Sequence, residues 1–122
     1  MTQGPERYAM NFAWVWGPDN PSLDKVARLA MHLRGADPEK LQILLERWLT
    51  GLGYDAARGH YFHGGFSVAI QACGNGTAEI VFASGGQDVA ESLGDAVDEF
   101  YEQVLQHLTT ASVTWTEQPL EA

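Results

Sequence analysis

Positive charge is missing from the second half of this chain: after Arg58 there is no Lys or Arg, while nine of the sixteen acids lie between Gly59 and Ala122. The seven bases of residues 1–58 are matched there by seven acids, so the net charge of −9 resides entirely in the later half. Phosphate contacts depend on Lys and Arg, so this distribution disfavours nucleic acid and anionic membrane as partners and favours a basic one, or simply solubility. Cysteine is nearly absent as well. Cys73 stands alone, which rules out an intramolecular disulfide framework and fits a reducing, cytoplasmic setting. No apolar run approaches a membrane span, and the opening MTQGPER lacks the charged start and apolar stretch of a secretory leader.

What is present suffices for one domain. A length of 122 residues with 45% hydrophobic content can build a core without metal or disulfide support, so residues 1–122 are expected to form a single domain, with 118–122 as a disordered tail. Tyr8, Met10, Phe12, Trp14 and Trp16 alternate with smaller residues, predicting a central strand. Asn20-Pro21 is a helix start signal, and Leu23, Val26, Ala27, Ala30 and Leu33 make an apolar stripe ended by Gly35, predicting a helix over 21–34. Asp37-Pro38-Glu39 repeats the start signal before Leu41, Leu44, Leu45, Trp48, Leu49 and Leu52, a second helix.

In HYFHGGFSVAIQACGNGTAEIVFA, residues 60 to 83, the faces Phe66/Val68/Ile70/Ala72 and Ala78/Ile80/Phe82 predict a hairpin. Matching the faces pairs Val68 with Phe82, Ile70 with Ile80 and Ala72 with Ala78, leaving a three-residue loop, Gly74-Asn75-Gly76. A third helix carries Leu93, Ala96, Val97, Phe100, Val104 and Leu108 on its apolar side, and Ala111, Val113 and Trp115 alternate as a last strand. The order strand, two helices, hairpin, helix, strand predicts an α+β domain of the ferredoxin-like βαββαβ type, with two helices in the first crossover. Its four-stranded sheet would be mixed, mainly antiparallel, and covered by helices on one face. The other face would present small, nearly uncharged residues, among them Ala9, Asn11, Ser67, Ala69, Gln71, Cys73, Ser112 and Thr114. Such a face is suited to pairing with a partner or a second copy.

Catalytic signatures are weak. His60, His63 and Cys73 are suitable zinc ligands by type, but residues three apart on a strand face opposite ways and no second Cys/His pair accompanies them, so no metal is expected. Cys73 has neither a surrounding nucleophile motif nor a nearby base, and the GNG and SGG segments lack phosphate-loop spacing. No cofactor or catalytic residue is assigned.

The exposed side of the third helix is more informative. Asp95, Asp98, Glu99 and Glu102 lie three or four apart, so like charges neighbour one another without interspersed Lys. A solvated face is the plainer reading; the functional one is an acidic surface that steers a basic partner, with Tyr101 as aromatic anchor.

The segment AVDEFYEQVLQHLTTASVTWTE resembles the ending of a family of bacterial immunity proteins, the deaminase-associated immunity family of polymorphic toxin systems. In that family a helix bearing a Glu-Phe pair leads into a short strand ending in Trp, matched here by Glu99-Phe100 and Val113-Thr114-Trp115. The Gly-x-Arg-Pro-like connection of that family is absent. The resemblance implies a small cytoplasmic protein that binds and neutralises a toxin made by the same cell or a neighbour; the sequence itself leaves monomer and homodimer both open. Together with the charge pattern it predicts a non-enzymatic inhibitor plugging a basic, nucleic-acid-acting cleft. The alternative is a small dimeric α+β-barrel enzyme or ligand-binding protein, with Trp14, Trp16, Phe66 and His63 lining a pocket between sheet and helices.

Overall fold

A computed structural model describes residues 8, 9, 11, 14, 26–85 and 89–118. Its elements, in chain order, are β1 (Val26–Arg34), α1 (Pro38–Thr50), β2 (Gly53–Asp55), β3 (His60–His63), β4 (Phe66–Gly74), β5 (Thr77–Gly85), α2 (Val89–Gln103), a short 3-10 turn (Leu105–His107) and β6 (Ser112–Glu117). The strands form one six-stranded sheet in the order β2-β3-β4-β5-β1-β6, and every pairing is antiparallel. The α+β class therefore stands, but the four-stranded ferredoxin-like βαββαβ arrangement does not.

The correction begins at β1. The segment VARLAMHLR fits two periods, and the expected helix over 21–34 rested on the longer one. In the structure Ala27, Leu29, Met31 and Leu33 are buried while the residues between them are half-buried or exposed, the period of a strand. Val26–Leu33 pairs with β5 and Leu29–Arg34 with β6, so both edges of β1 are hydrogen-bonded. The expected strand over residues 8–16 lies mostly outside the described residues. Where it is described, the Trp14 backbone N–H donates to the Asn11 carbonyl and side-chain oxygens, each at 3.2 Å, contacts of a turn rather than of an extended chain.

Helix α1 forms as the sequence predicts. The Asp37 carboxylate accepts from the backbone N–H groups of Glu39 and Lys40 at 3.0 and 3.3 Å, satisfying two donors that the helix cannot. Pro38 occupies the first turn, where it forfeits no helical bond. The chain then makes two short strands that the sequence reading had not separated. Asp55 nucleates the turn between them, its side chain accepting from Ala57 and Arg58 N–H at 3.1 and 3.3 Å. Gly59, at φ +71°, completes it.

In the β4–β5 hairpin Val68 faces Phe82 and Ile70 faces Ile80, as expected, but a bulge between Ile70 and Ala72 shifts the remainder. Ala72 then faces Glu79, Cys73 faces Ala78, and only Asn75-Gly76 turns the chain. Both residues have positive φ, +54° and +80°, the signature of a type I′ turn. The bulge absorbs the residue that the three-residue loop was meant to hold, so the apolar faces stay aligned although the turn is short.

Both helices cover the same face of the sheet. Trp48 of α1 and Phe100 of α2 meet over Phe82 of β5, with ring centroids 4.9 to 6.1 Å apart, and all three are essentially inaccessible to solvent. The apolar stripe of α2 falls where its spacing predicts: Leu93, Ala96, Val97 and Phe100 are buried. Strand β6 returns to β1, and the Gln118 backbone N–H extends that pairing by donating to the Arg28 carbonyl at 3.0 Å. The rest of the expected tail, 119–122, lies outside the described residues. Among those described, no helix is long and apolar enough to cross a membrane.

Candidate functional site: an acidic groove beside the second helix

The four acids singled out from the sequence come together. Asp95, Asp98, Glu99 and Glu102 line one side of a groove of about 500 Å³. Helical geometry accounts for this, because steps of three and four residues return to one face. The opposite wall is the β3–β4 turn, His63-Gly64-Gly65. A two-residue connection requires backbone freedom there, and Gly64 supplies it at φ +56°. Gly65 lies so close to α2 that a side chain in its place would meet the Ser92 hydroxyl at 2.4 Å, so the turn is seated directly on the helix. Among the described residues, no Lys or Arg lines the groove.

The acids differ in environment. Asp95 and Glu102 are exposed, whereas Asp98 and Glu99 are half-buried. Glu99 Oε1 accepts a hydrogen bond from the Trp48 indole Nε1 at 3.0 Å, so this carboxylate also joins α2 to α1. Tyr101 does not belong to the groove: it is half-buried and packs against the hydrophobic core, on the adjoining side of the helix. Its expected role as aromatic anchor beside the acids has no geometric support.

The other candidates separate. Strand β3 directs its alternate residues to opposite faces: His63 borders the acidic groove, while His60 lies with Phe62 in a shallow depression on the other side of the sheet. Among the described residues no group of three His, Cys, Asp or Glu side chains could hold a metal ion. The pocket expected from Trp14, Trp16, Phe66 and His63 is not assembled. Trp14 Nε1 donates to the Gln118 carbonyl at 2.7 Å, just past β6, whereas His63 is on β3, four strands away across the sheet. Phe66 is buried in the core, and Trp16 lies outside the described residues.

Sequence reasoning missed the groove's second wall, for which the only signal was the Gly64-Gly65 pair between two aromatic stretches. It also missed a larger groove between α1 and β2–β4, which Tyr54 and Tyr61 help to form. No protein-family model, curated protein or solved structure matches this chain.

Proposed function

We propose that this chain is a non-enzymatic binding protein of the inhibitor or immunity kind, whose acidic groove receives basic side chains from a partner protein. The observation that carries this reading is the concave site in which four carboxylates of α2 face the β3–β4 turn with no Lys or Arg among its described lining residues. A concave surface of one sign concentrates field and draws in the opposite charge. Asp95 and Glu102 are exposed, and exposed carboxylates can steer and contact a basic partner. The absence of basic residues after Arg58 adds to the attraction at longer range. A toxin that acts on nucleic acid needs a basic cleft, and Lys and Arg side chains on the rim of such a cleft are suitable occupants.

The test is capture of partners by the tagged protein from its native lysate at low and high salt, with identification by mass spectrometry. The expected result is one stoichiometric basic protein, lost as salt rises and not captured by an Asp95→Lys/Glu102→Lys variant. A partner retained equally by that variant, or the absence of any basic partner, overturns the reading.

A further inference from the structure

We propose that the groove between α1 and the β2–β4 side of the sheet is a second, independent binding site, selective for a small hydrophobic cation such as an aromatic or alkyl ammonium ion. Its volume of about 870 Å³ lies within the range of small-molecule pockets. It shares no residue with the acidic groove beside α2.

The floor is apolar. Leu45 of α1 is buried beneath it, and Leu49, Tyr61 and Ile70 are only partly covered by the core they pack against. The β4 bulge lies at the groove's edge, immediately after Ile70, and bulges bend the strand that carries them. Large side chains are thereby left half-open rather than closed under the helix.

The walls determine the charge of the occupant. Tyr54 and Tyr61 face each other across the β2–β3 pair, with ring centroids 4.8 Å apart and planes inclined at 56°. Tyr54 is 56% exposed, a large aromatic left in water at the rim of a cavity. Two inclined ring faces form a corner in which a cation is attracted to the negative faces of both. Opposite them, α1 contributes Glu39 and Glu46, seven residues and so roughly 10 Å apart along the helix, both exposed. The Gln42 side-chain amide donates to Glu46 Oε1 at 3.3 Å, orienting that carboxylate. Among the described residues, no Lys, Arg or His lines the groove. An apolar floor, an aromatic corner and two carboxylates together suit an organic cation and disfavour an anion of the same size.

Cys73, the only cysteine, is exposed and lines this groove, and so serves as a reporter. The ¹⁵N-labelled protein is titrated with benzyltrimethylammonium and, in parallel, with the anion 3-phenylpropionate, and Cys73 alkylation by iodoacetamide is timed with and without each. The expected result is saturable shifts at Leu45, Tyr54, Tyr61 and Ile70 with the cation alone, and slower alkylation of Cys73 only in its presence. Tyr54→Ala and Glu46→Gln, both at exposed positions, are each expected to weaken binding by about three- to tenfold while preserving the spectrum of the folded protein. Equal binding of the anion, shifts elsewhere in the molecule, or no saturable shift overturns the proposal. Because the two grooves share no residue, Asp95→Lys/Glu102→Lys leaves this binding intact, which separates its fate from that of the acidic groove.

Discussion

The indole Nε1 of Trp48 donates to Glu99 across 3.0 Å, so a carboxylate of the acidic face is also a fastener between the two helices. Trp48 is 1% exposed, and a side chain without an acceptor at position 99 removes the partner of its N–H. Glu99→Leu is therefore expected to cost about 1–3 kcal/mol, the penalty for an unpaired buried donor. Glu99→Gln retains an acceptor at the same reach and is expected to cost less than half as much. Urea unfolding of the three proteins measures the difference, and equal midpoints for the two variants refute the fastener role.

Asp95 and Glu102 are exposed, and the carboxylate that accepts from Trp48 Nε1 is that of Glu99, so reversing the charge of Asp95 and Glu102 tests recognition at solvent-facing positions. Against a basic partner, Asp95→Lys/Glu102→Lys is expected to slow association about tenfold or more at low salt, with a smaller effect at high salt where screening already weakens steering. Stopped-flow or surface-binding kinetics at two ionic strengths read this directly. Tyr101→Ala should differ in kind: the ring packs against the core, so its loss lowers stability and leaves the salt dependence of association unchanged.

The Asn75-Gly76 turn supplies a backbone prediction. Gly76 is at φ +80°, and a Cβ there would come within 2.2 Å of the Ala36 carbonyl oxygen, which is backbone. The Ala36 N–H also donates to the Gly76 carbonyl at 3.1 Å, tying the turn to the segment leading into α1. Gly76→Ala therefore meets both strain and overlap, and is expected to destabilise by about 2 kcal/mol or more. Asn75→Gly relieves a positive φ without a clash and is expected to stay within about 0.5 kcal/mol of the parent. Thermal melts of the pair test the ordering.

These elements also show what a linear sequence reveals. Helices α1 and α2 were legible because each has a long apolar stripe, and for α1 a start signal as well. Strand β1 was not: Ala27 and Leu33 belong both to the helical stripe and to the buried strand face, and the choice is made by pairing with β5 and β6, partners some 50 and 85 residues away in the chain. The β4–β5 register was legible at Val68 and Ile70, where slippage would expose large side chains. It was not legible at Ala72 and Cys73, which are exposed, so that a one-residue shift there costs little burial. The acids of the site were legible from spacing alone. Its far wall depends on where a two-glycine turn lands against α2, and the tyrosine corner depends on strands of three and four residues, too short to show a period.

The last prediction concerns alkaline pH. The Tyr8 hydroxyl donates to Glu117 Oε2 at 2.5 Å, and the Asn11 side-chain amide donates to Oε1 of the same carboxylate at 3.1 Å, fastening the early chain to the end of β6. Burial, together with the hydrogen bond and negative charge of Glu117, raises the Tyr8 phenol well above its ordinary value, which is about 10. The unfolded chain then releases this proton at lower pH than the folded one does. Its contribution to stability is fully present below about pH 10 and is lost as pH rises toward the folded value. Unfolding free energy should thus show a downward slope above pH 10 that Tyr8→Phe removes. Tyr8→Phe should also cost about 1 kcal/mol at neutral pH for the lost bond to a charged acceptor at a partly exposed site. Ultraviolet titration of phenolate formation completes the test: the Tyr8 phenolate should form at higher pH in the folded protein than in denaturant, a contribution that Tyr8→Phe should remove. If wild type and Tyr8→Phe follow the same alkaline profile, the fastening of the early chain through Glu117 is refuted.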